Sequence, residues 1–374
     1  MGVKRLITNP LRDLARVRPV NTASLAFHRA WPGYQPTPLR AAPHAAARLG
    51  VASVLVKDES SRLGLPSFKI LGASWATYRA LCRHLGVAES STPVLADLRE
   101  SLDSHPLQLV AATDGNHGRA VARMAKLLGL RAHILVPHDM VPARIATLRE
   151  EGAEVTVVAG GYDDAVAASA ALADDTHLVI SDTSWPGYMD VPAWVIDGYG
   201  TLTQEIIEQI SEQNLPAPSV VAAQIGVGAF AAAMVRAFST EGIRVVGVEP
   251  TRADCVLAAA EAGDLVTIPD PQDSIMAGLN CGTGSPVAWP DVSAGMSCFA
   301  AVEDADAEEA MRLLAEDGIV SGESGAAGLA GLLAFSDELK LTADDHVLVV
   351  STEGATDPVG YERIVGTCPA PQAI

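Results

Sequence analysis

The sequence predicts a doubly wound α/β protein built on mostly parallel sheets, and three observations carry that reading. Short apolar runs rich in Val, Ile and Leu recur along the chain. A Gly- or Asp-containing turn follows most of them, and a helical pattern follows the turn. Near-continuous apolar content, in place of alternation, suits strands that helices cover on both faces.

The expected strands are, in order, "ASVLVKD" (52–58), "LQLVAATD" (107–114), "RAHILVP" (131–137), "AEVTVVAG" (153–160), "HLVISD" (177–182), "SVVAAQIG" (219–226), "IRVVGVEP" (243–250) and "HVLVVSTEG" (346–354). Between them, Ala120, Val121, Met124, Leu127 and Leu128 form one helical stripe that Gly129 ends. Residues 305–318 place acids in a first turn, where the helix dipole favours them, and also end in Gly. The polar, Pro-broken segment 84–106 reads as a surface excursion. The expected architecture is a large domain from both chain ends, 1–75 and 195–374, around a smaller inserted domain, 76–194.

A net charge of −19 argues against a nucleic-acid or anionic-membrane partner, because a phosphate-rich surface demands a basic one. The five cysteines are dispersed without a CxxC pair, which argues against a zinc site or disulfide framework and fits a reducing compartment. No stretch offers eighteen uninterrupted apolar residues, so the chain reads as cytoplasmic, with no metal.

Five constellations carry chemistry. "PSFKILGAS" (66–74) sets Lys69 in an otherwise apolar or small run, where an ammonium is costly to bury without a partner. "AAQIGVGAFAAA" runs a strand into Gly226, Val227 and Gly228 and then a helix from Ala229, exposing backbone N–H groups suited to a phosphate. That loop lacks the Lys-Ser/Thr of an NTP-binding loop. With Ala231 and Glu249 it also satisfies a dinucleotide fingerprint, so an NAD-linked oxidoreductase and a smaller phosphorylated cofactor both remain open. "ATDGNHGRA" (112–120) places Asp114, Asn116 and His117 at a strand's carboxyl end; a helix cap by Asp114 or Asn116 is the plain alternative. "ISDTSWPGY" (180–188) ends a strand in Asp182, and Ser351 and Thr352 stand just past the last buried strand. Together these residues meet the needs of pyridoxal 5′-phosphate: an amine for its aldehyde, backbone donors for its phosphate, and partners for its ring atoms.

With "AGLNCGTGS" and "SGESGAAGL" (321–329) added in the same order, the chain resembles the fold-type II pyridoxal-phosphate enzymes over about residues 35 to 360, and within them the diaminopropionate ammonia-lyases. That resemblance implies two doubly wound domains with the cofactor in the cleft between them, a homodimer, and a small amino-acid substrate. It makes Lys69 the Schiff-base lysine and base for an L-substrate. Asp114 becomes the base on the opposite face, where relatives that eliminate a hydroxyl usually carry serine. A carboxylate there suits a cationic β-ammonium group. Asp182 resembles the family's second acid, although Pro186 stands after Trp185 where that pattern has an acid. Asn116 is implied to bond the ring 3′-oxygen, Gly226 to Ala229 to cradle the phosphate, and Ser351 or Thr352 to meet the pyridine nitrogen. The implied reaction is loss of ammonia from 2,3-diaminopropionate to give pyruvate and ammonia. The alternatives on the same scaffold are a serine/threonine dehydratase, a β-replacement synthase and a non-catalytic cofactor binder.

Overall fold

A computed structural model describes residues 3–88, 95–102, 106–113, 115–240, 242–269 and 271–368. Eleven strands are present among them: β1 (Arg5–Thr8), β2 (Leu39–Ala41), β3 (Ser53–Asp58), β4 (Gln108–Ala112), β5 (Arg131–Val136), β6 (Glu154–Val157), β7 (His177–Val179), β8 (Val220–Gln224), β9 (Arg244–Pro250), β10 (Cys298–Val302) and β11 (His346–Ser351). Each of the eight apolar runs forms one of these. The three that the sequence reading missed are β1, β2 and β10. β1 and β2 are short edge strands that pair antiparallel with β10 and β3.

The chain divides into two compact units. The first comprises Met1–Val20, Pro36–Phe68 and Leu202–Ile374 and holds the seven-stranded sheet β1-β10-β9-β8-β11-β3-β2. Its strands β10, β9, β8, β11 and β3 run parallel and are almost wholly buried. Val54, Val56, Val220, Ala222, Val246, Val248, Val347 and Val349 turn one face to a core shared with helices Pro43–Leu49, Asp304–Glu316 and Glu323–Ala334. The order runs outward from β8 through β9 and β10, whereas β11 flanks β8 on its other side. Ligands of open α/β sheets bind at the strands' carboxyl ends at such a reversal.

The second unit comprises Asn21–Gln35 and Lys69–Thr201 and holds the four-stranded parallel sheet β6-β5-β4-β7. Residues 69–75 and 195–201 thus group with the smaller unit, not with the larger as the sequence reading divided them. The reason is a close helix crossing. A Cβ on Gly72 would lie 2.6 Å from the Tyr199 ring, and one on Gly198 would lie 2.5 Å from the Leu71 carbonyl. Asn21–Gln35 joins them because buried His28 bridges Thr201 Oγ1 (2.7 Å) and Ser74 Oγ (3.0 Å). Nor is 84–106 wholly an excursion. Helix Leu95–Leu102 buries Leu98 and Leu102, one turn apart, and packs on helices Lys69–Leu85 and Asn116–Leu128. No helix among the described residues is long and apolar enough to cross a membrane.

Candidate active site

Each unit carries its own group of the residues singled out from the sequence. In the second unit, Lys69 is the first residue of helix Lys69–Leu85. Its Nζ lies 2.7 Å from Asp182 Oδ2, with side chains 17% and 6% exposed. The lysine therefore has the partner its burial demands. Asp182 sits just beyond β7 and also accepts the Tyr162 hydroxyl at 3.1 Å. His117 Nδ1 stands 3.9 Å from the same carboxylate, while its Nε2 bonds the Ile180 carbonyl at 2.8 Å. A carbonyl can only accept, so Nε2 carries a hydrogen, and Nδ1 is protonated only in the imidazolium. Burial alone would raise the Asp182 pKa, but Lys69, His117 and Tyr162 hold it below the ordinary carboxylate range.

Pro186 has a local explanation. Trp185 and Tyr188 exchange backbone hydrogen bonds around Pro186-Gly187, with Gly187 at φ +88, the residue order of a type II turn. The turn stacks the Trp185 and Tyr188 rings 4.2 Å apart. The Tyr188 hydroxyl then donates to the Val179 carbonyl and accepts the Ser181 N–H, bracing the strand end that bears Asp182.

Thr113 organises the loop before helix Asn116–Leu128. Thr113 Oγ1 accepts the N–H groups of Gly115 and Gly118, each at 2.9 Å. That geometry leaves no room at Gly118, where a Cβ would collide with the Thr113 methyl. Asn116 opens the helix. Asp114 lies outside the described residues.

In the first unit, β8 ends at Gln224 and passes through Gly226, Val227 and Gly228 into helix Ala229–Phe238. The first intrahelical bond runs from the Ala232 N–H to the Gly228 carbonyl, so the N–H groups ahead of it are unused by the helix. Gly228 takes φ +99, a left-handed conformation that glycine adopts without strain. A Cβ on Gly226 would press on the Gly278 carbonyl at 3.1 Å. Loop 276–286 therefore packs directly on the glycine turn, and the Ser285 N–H donates to the Val227 carbonyl at 2.7 Å. A glycine turn with N–H groups left free at a helix start is able to hold one phosphate group.

The neighbouring strand β11 ends in Ser351, followed by Thr352, both buried. The Ser351 hydroxyl donates to Ser321 Oγ at 2.8 Å. Thr352 Oγ1 accepts from Gln224 Nε2 at 2.8 Å. Just before the unit boundary, the Phe68 N–H donates to the Thr352 carbonyl and the Gly354 N–H to the Pro66 carbonyl. The Phe68 ring meets Phe230 edge-on at 5.0 Å. Segment Pro66–Phe68 is thus docked on the strand end bearing Ser351 and Thr352.

Backbone N–H groups unused by a helix and a buried hydroxyl in the first unit, and a sheltered amine in the second, are each of the kind that pyridoxal 5′-phosphate needs. Glu249 does not fit the dinucleotide reading. It is fully buried, and its two oxygens accept the Val256 and Leu257 N–H groups at 2.8 and 2.7 Å, capping helix Cys255–Ala262. An acid so placed is not presented to a ribose. Sequence reasoning missed Tyr162, Gln224 and Ser321. No local pattern marks them, because each acts on a residue 20 or more positions away.

The chain is similar to known proteins along most of its length. A family model described as pyridoxal-phosphate dependent enzyme matches residues 30–353. The diaminopropionate ammonia-lyase of Salmonella typhimurium is 38% identical over 91% of this chain and 90% of its own. The crystal structure of the diaminopropionate ammonia-lyase of Escherichia coli in complex with D-serine superposes with a TM-score of 0.90 at 33% identity, covering 97% of both chains. The same enzyme in complex with an aminoacrylate-PLP azomethine reaction intermediate superposes at 0.86 and 33% identity, covering 98% of this chain and 97% of that one.

Proposed function

Because the chain belongs to the pyridoxal-phosphate-dependent enzymes of fold type II, we propose that it is a carbon–nitrogen lyase that converts 2,3-diaminopropionate to pyruvate and ammonia. The observation that carries the reading is Lys69 held at 2.7 Å on a buried carboxylate, in a scaffold matched end to end by diaminopropionate ammonia-lyases. Pyridoxal 5′-phosphate, when bound, supplies an aldehyde for the substrate amine and a ring that accepts electrons from Cα.

The chain's own residues do the rest. Gly226, Val227, Gly228 and Ala229 bind the phosphate through backbone N–H groups, Asn116 donates to the ring 3′-oxygen, and Thr352 donates to the ring nitrogen. Ser351 supports that strand end through Ser321. Lys69 takes the Cα proton of an L-substrate. Asp114 takes it from the opposite face of a D-substrate and offers its carboxylate to the β-ammonium group. Asp182 holds the Lys69 ammonium until Lys69 engages the cofactor, with Tyr162 fixing the carboxylate. Loss of the β-amino group as ammonia leaves aminoacrylate, and its hydrolysis after release gives pyruvate and a second ammonia.

The test compares pyruvate release from diaminopropionate, serine and threonine. Diaminopropionate is expected to be turned over fastest in either enantiomer; faster turnover of serine or threonine would make the chain a dehydratase instead. Gly228→Ala should weaken cofactor binding about tenfold, because a left-handed residue with a side chain costs about 1–2 kcal/mol. Titrating the apoenzyme with pyridoxal 5′-phosphate measures it. We place the enzyme in the cytoplasm as a homodimer, on its cysteine usage and the prevalence of two-fold assemblies; light scattering at low concentration checks the dimer.

A further inference from the structure

Gln224 is a buried amide in a place where the sheet needs none. The β8–β11 ladder pairs Val220 with Val347 and Val221 with Leu348. At the carboxyl ends of the same two strands, the Gln224 side chain bridges from β8 to β11. Its Nε2 lies 3.0 Å from the Val350 carbonyl, 2.8 Å from Thr352 Oγ1 and 3.3 Å from the Gly325 carbonyl. Its Oε1 has no partner among the described residues.

The amide orientation is determined by that network. Reversing it would set an oxygen against two carbonyl oxygens, so Nε2 is the atom that faces β11. An amide nitrogen only donates. Thr352 Oγ1 is therefore an acceptor in this bond, and its own hydrogen must point elsewhere. Among the described residues, none accepts it. Leaving Oε1 unpaired in the interior is unfavourable, and a leucine would fill the space without that cost. The arrangement makes sense if the nitrogen side of the amide is what matters.

We infer that Gln224 is a positioning residue that makes Thr352 an obligate hydrogen-bond donor toward the cofactor's ring nitrogen. This rests on the proposed pyridoxal-phosphate site and deepens it. Donation from a neutral hydroxyl leaves the ring nitrogen unprotonated, which tempers electron withdrawal and suits an elimination that expels its leaving group promptly. It also distinguishes the two hydroxyls. Ser351 donates within the protein to Ser321, so Thr352 is the one left to meet the ring.

The experiment reconstitutes apoenzyme with pyridoxal 5′-phosphate carrying ¹⁵N in the ring, and reads the nitrogen resonance and the cofactor dissociation constant. Three variants are compared with the unaltered enzyme: Gln224→Leu, Gln224→Glu and Thr352→Val. Gln224→Glu matches the native volume and covers the case in which Gln224→Leu fails to fold. A glutamate offers at most one hydrogen and cannot donate to both Val350 and Thr352. All three are expected to move the resonance from that of a donor-bonded pyridine toward a bare one, and to weaken binding about tenfold, the cost of one hydrogen bond. Adding Thr352→Val to a Gln224 variant should move it no further. A shift in Thr352→Val with none in the Gln224 variants would overturn the inference while leaving the site intact. No shift in Thr352→Val would remove Thr352 from the ring and the inference with it. An unaltered enzyme that takes up no cofactor would instead overturn the proposed function.

Discussion

Replacing Lys69 with alanine is expected to lower pyruvate formation from diaminopropionate by about a thousandfold or more. The change removes both the amine that joins the cofactor and the base for the L-substrate, and a positioned base alone contributes about 10²–10⁴-fold. A coupled pyruvate assay reads the rate. Borohydride reduction of the holoenzyme followed by peptide mass analysis reads the attachment, which should fall on Lys69. A reduced adduct on another lysine, or undiminished turnover, would sink the assignment. The same variant has a signature in acid. Burial pushes Asp182 up, but Lys69, His117 and Tyr162 together hold it low. A carboxyl held below its unfolded value adds stability above the ordinary value of 3.8, and that stability fades as pH falls through the folded value. In Lys69→Ala the Asp182 pKa should rise, so less of the enzyme's stability is lost on acidification.

The largest effect on folding is expected at Glu205. A four-charge cluster lies fully buried in the first unit. Lys57 Nζ meets Glu205 at 2.7 Å, and Arg62 reaches Glu205 and Glu59 at 2.6 Å each. Thr37 and Gln209 satisfy remaining donors. The charges balance, so removing one carboxylate strands a cation in the interior. Glu205→Ala should therefore cost about 3–5 kcal/mol, whereas replacing the whole set with well-packed apolar residues should be far milder. Urea unfolding of both variants tests the contrast, and equal losses would refute it. Burial opposes the Glu205 charge, but Arg62 and Lys57 win and hold its pKa down to about 2 from an ordinary 4.5. Its contribution is complete above pH 4.5 and is lost as pH falls toward 2. In Glu205→Gln that window of acid sensitivity should flatten. Arg62 and Leu65 close a tight turn through paired backbone bonds, and that turn leads directly into Pro66–Phe68 and Lys69.

Much of the fold was legible because its signals are local. Eight parallel strands are apolar runs long enough to stand out, and Gly129, Gly226 and Gly228 mark places where chain geometry excludes a side chain. β1, β2 and β10 escaped because an edge strand or a five-residue "CFAAV" run has no periodicity of its own. The small helix Leu95–Leu102 escaped because two leucines one turn apart are too few to outweigh polar surroundings.

By itself the sequence determined the α/β class, the order of the motifs and the residue types able to serve pyridoxal phosphate, since these depend on neighbours along the chain. Only the tertiary structure decided which partners the side chains have. It put Asp182 against Lys69 across 113 residues, gave the Thr113 hydroxyl the N–H groups of Gly115 and Gly118, and engaged Glu249 in capping a helix. It also aimed the Gln224 amide at Thr352, 128 residues away. Hydrogen bonds and ion pairs act over a few ångströms in space, and separation along the chain carries no trace of them until packing brings their atoms together.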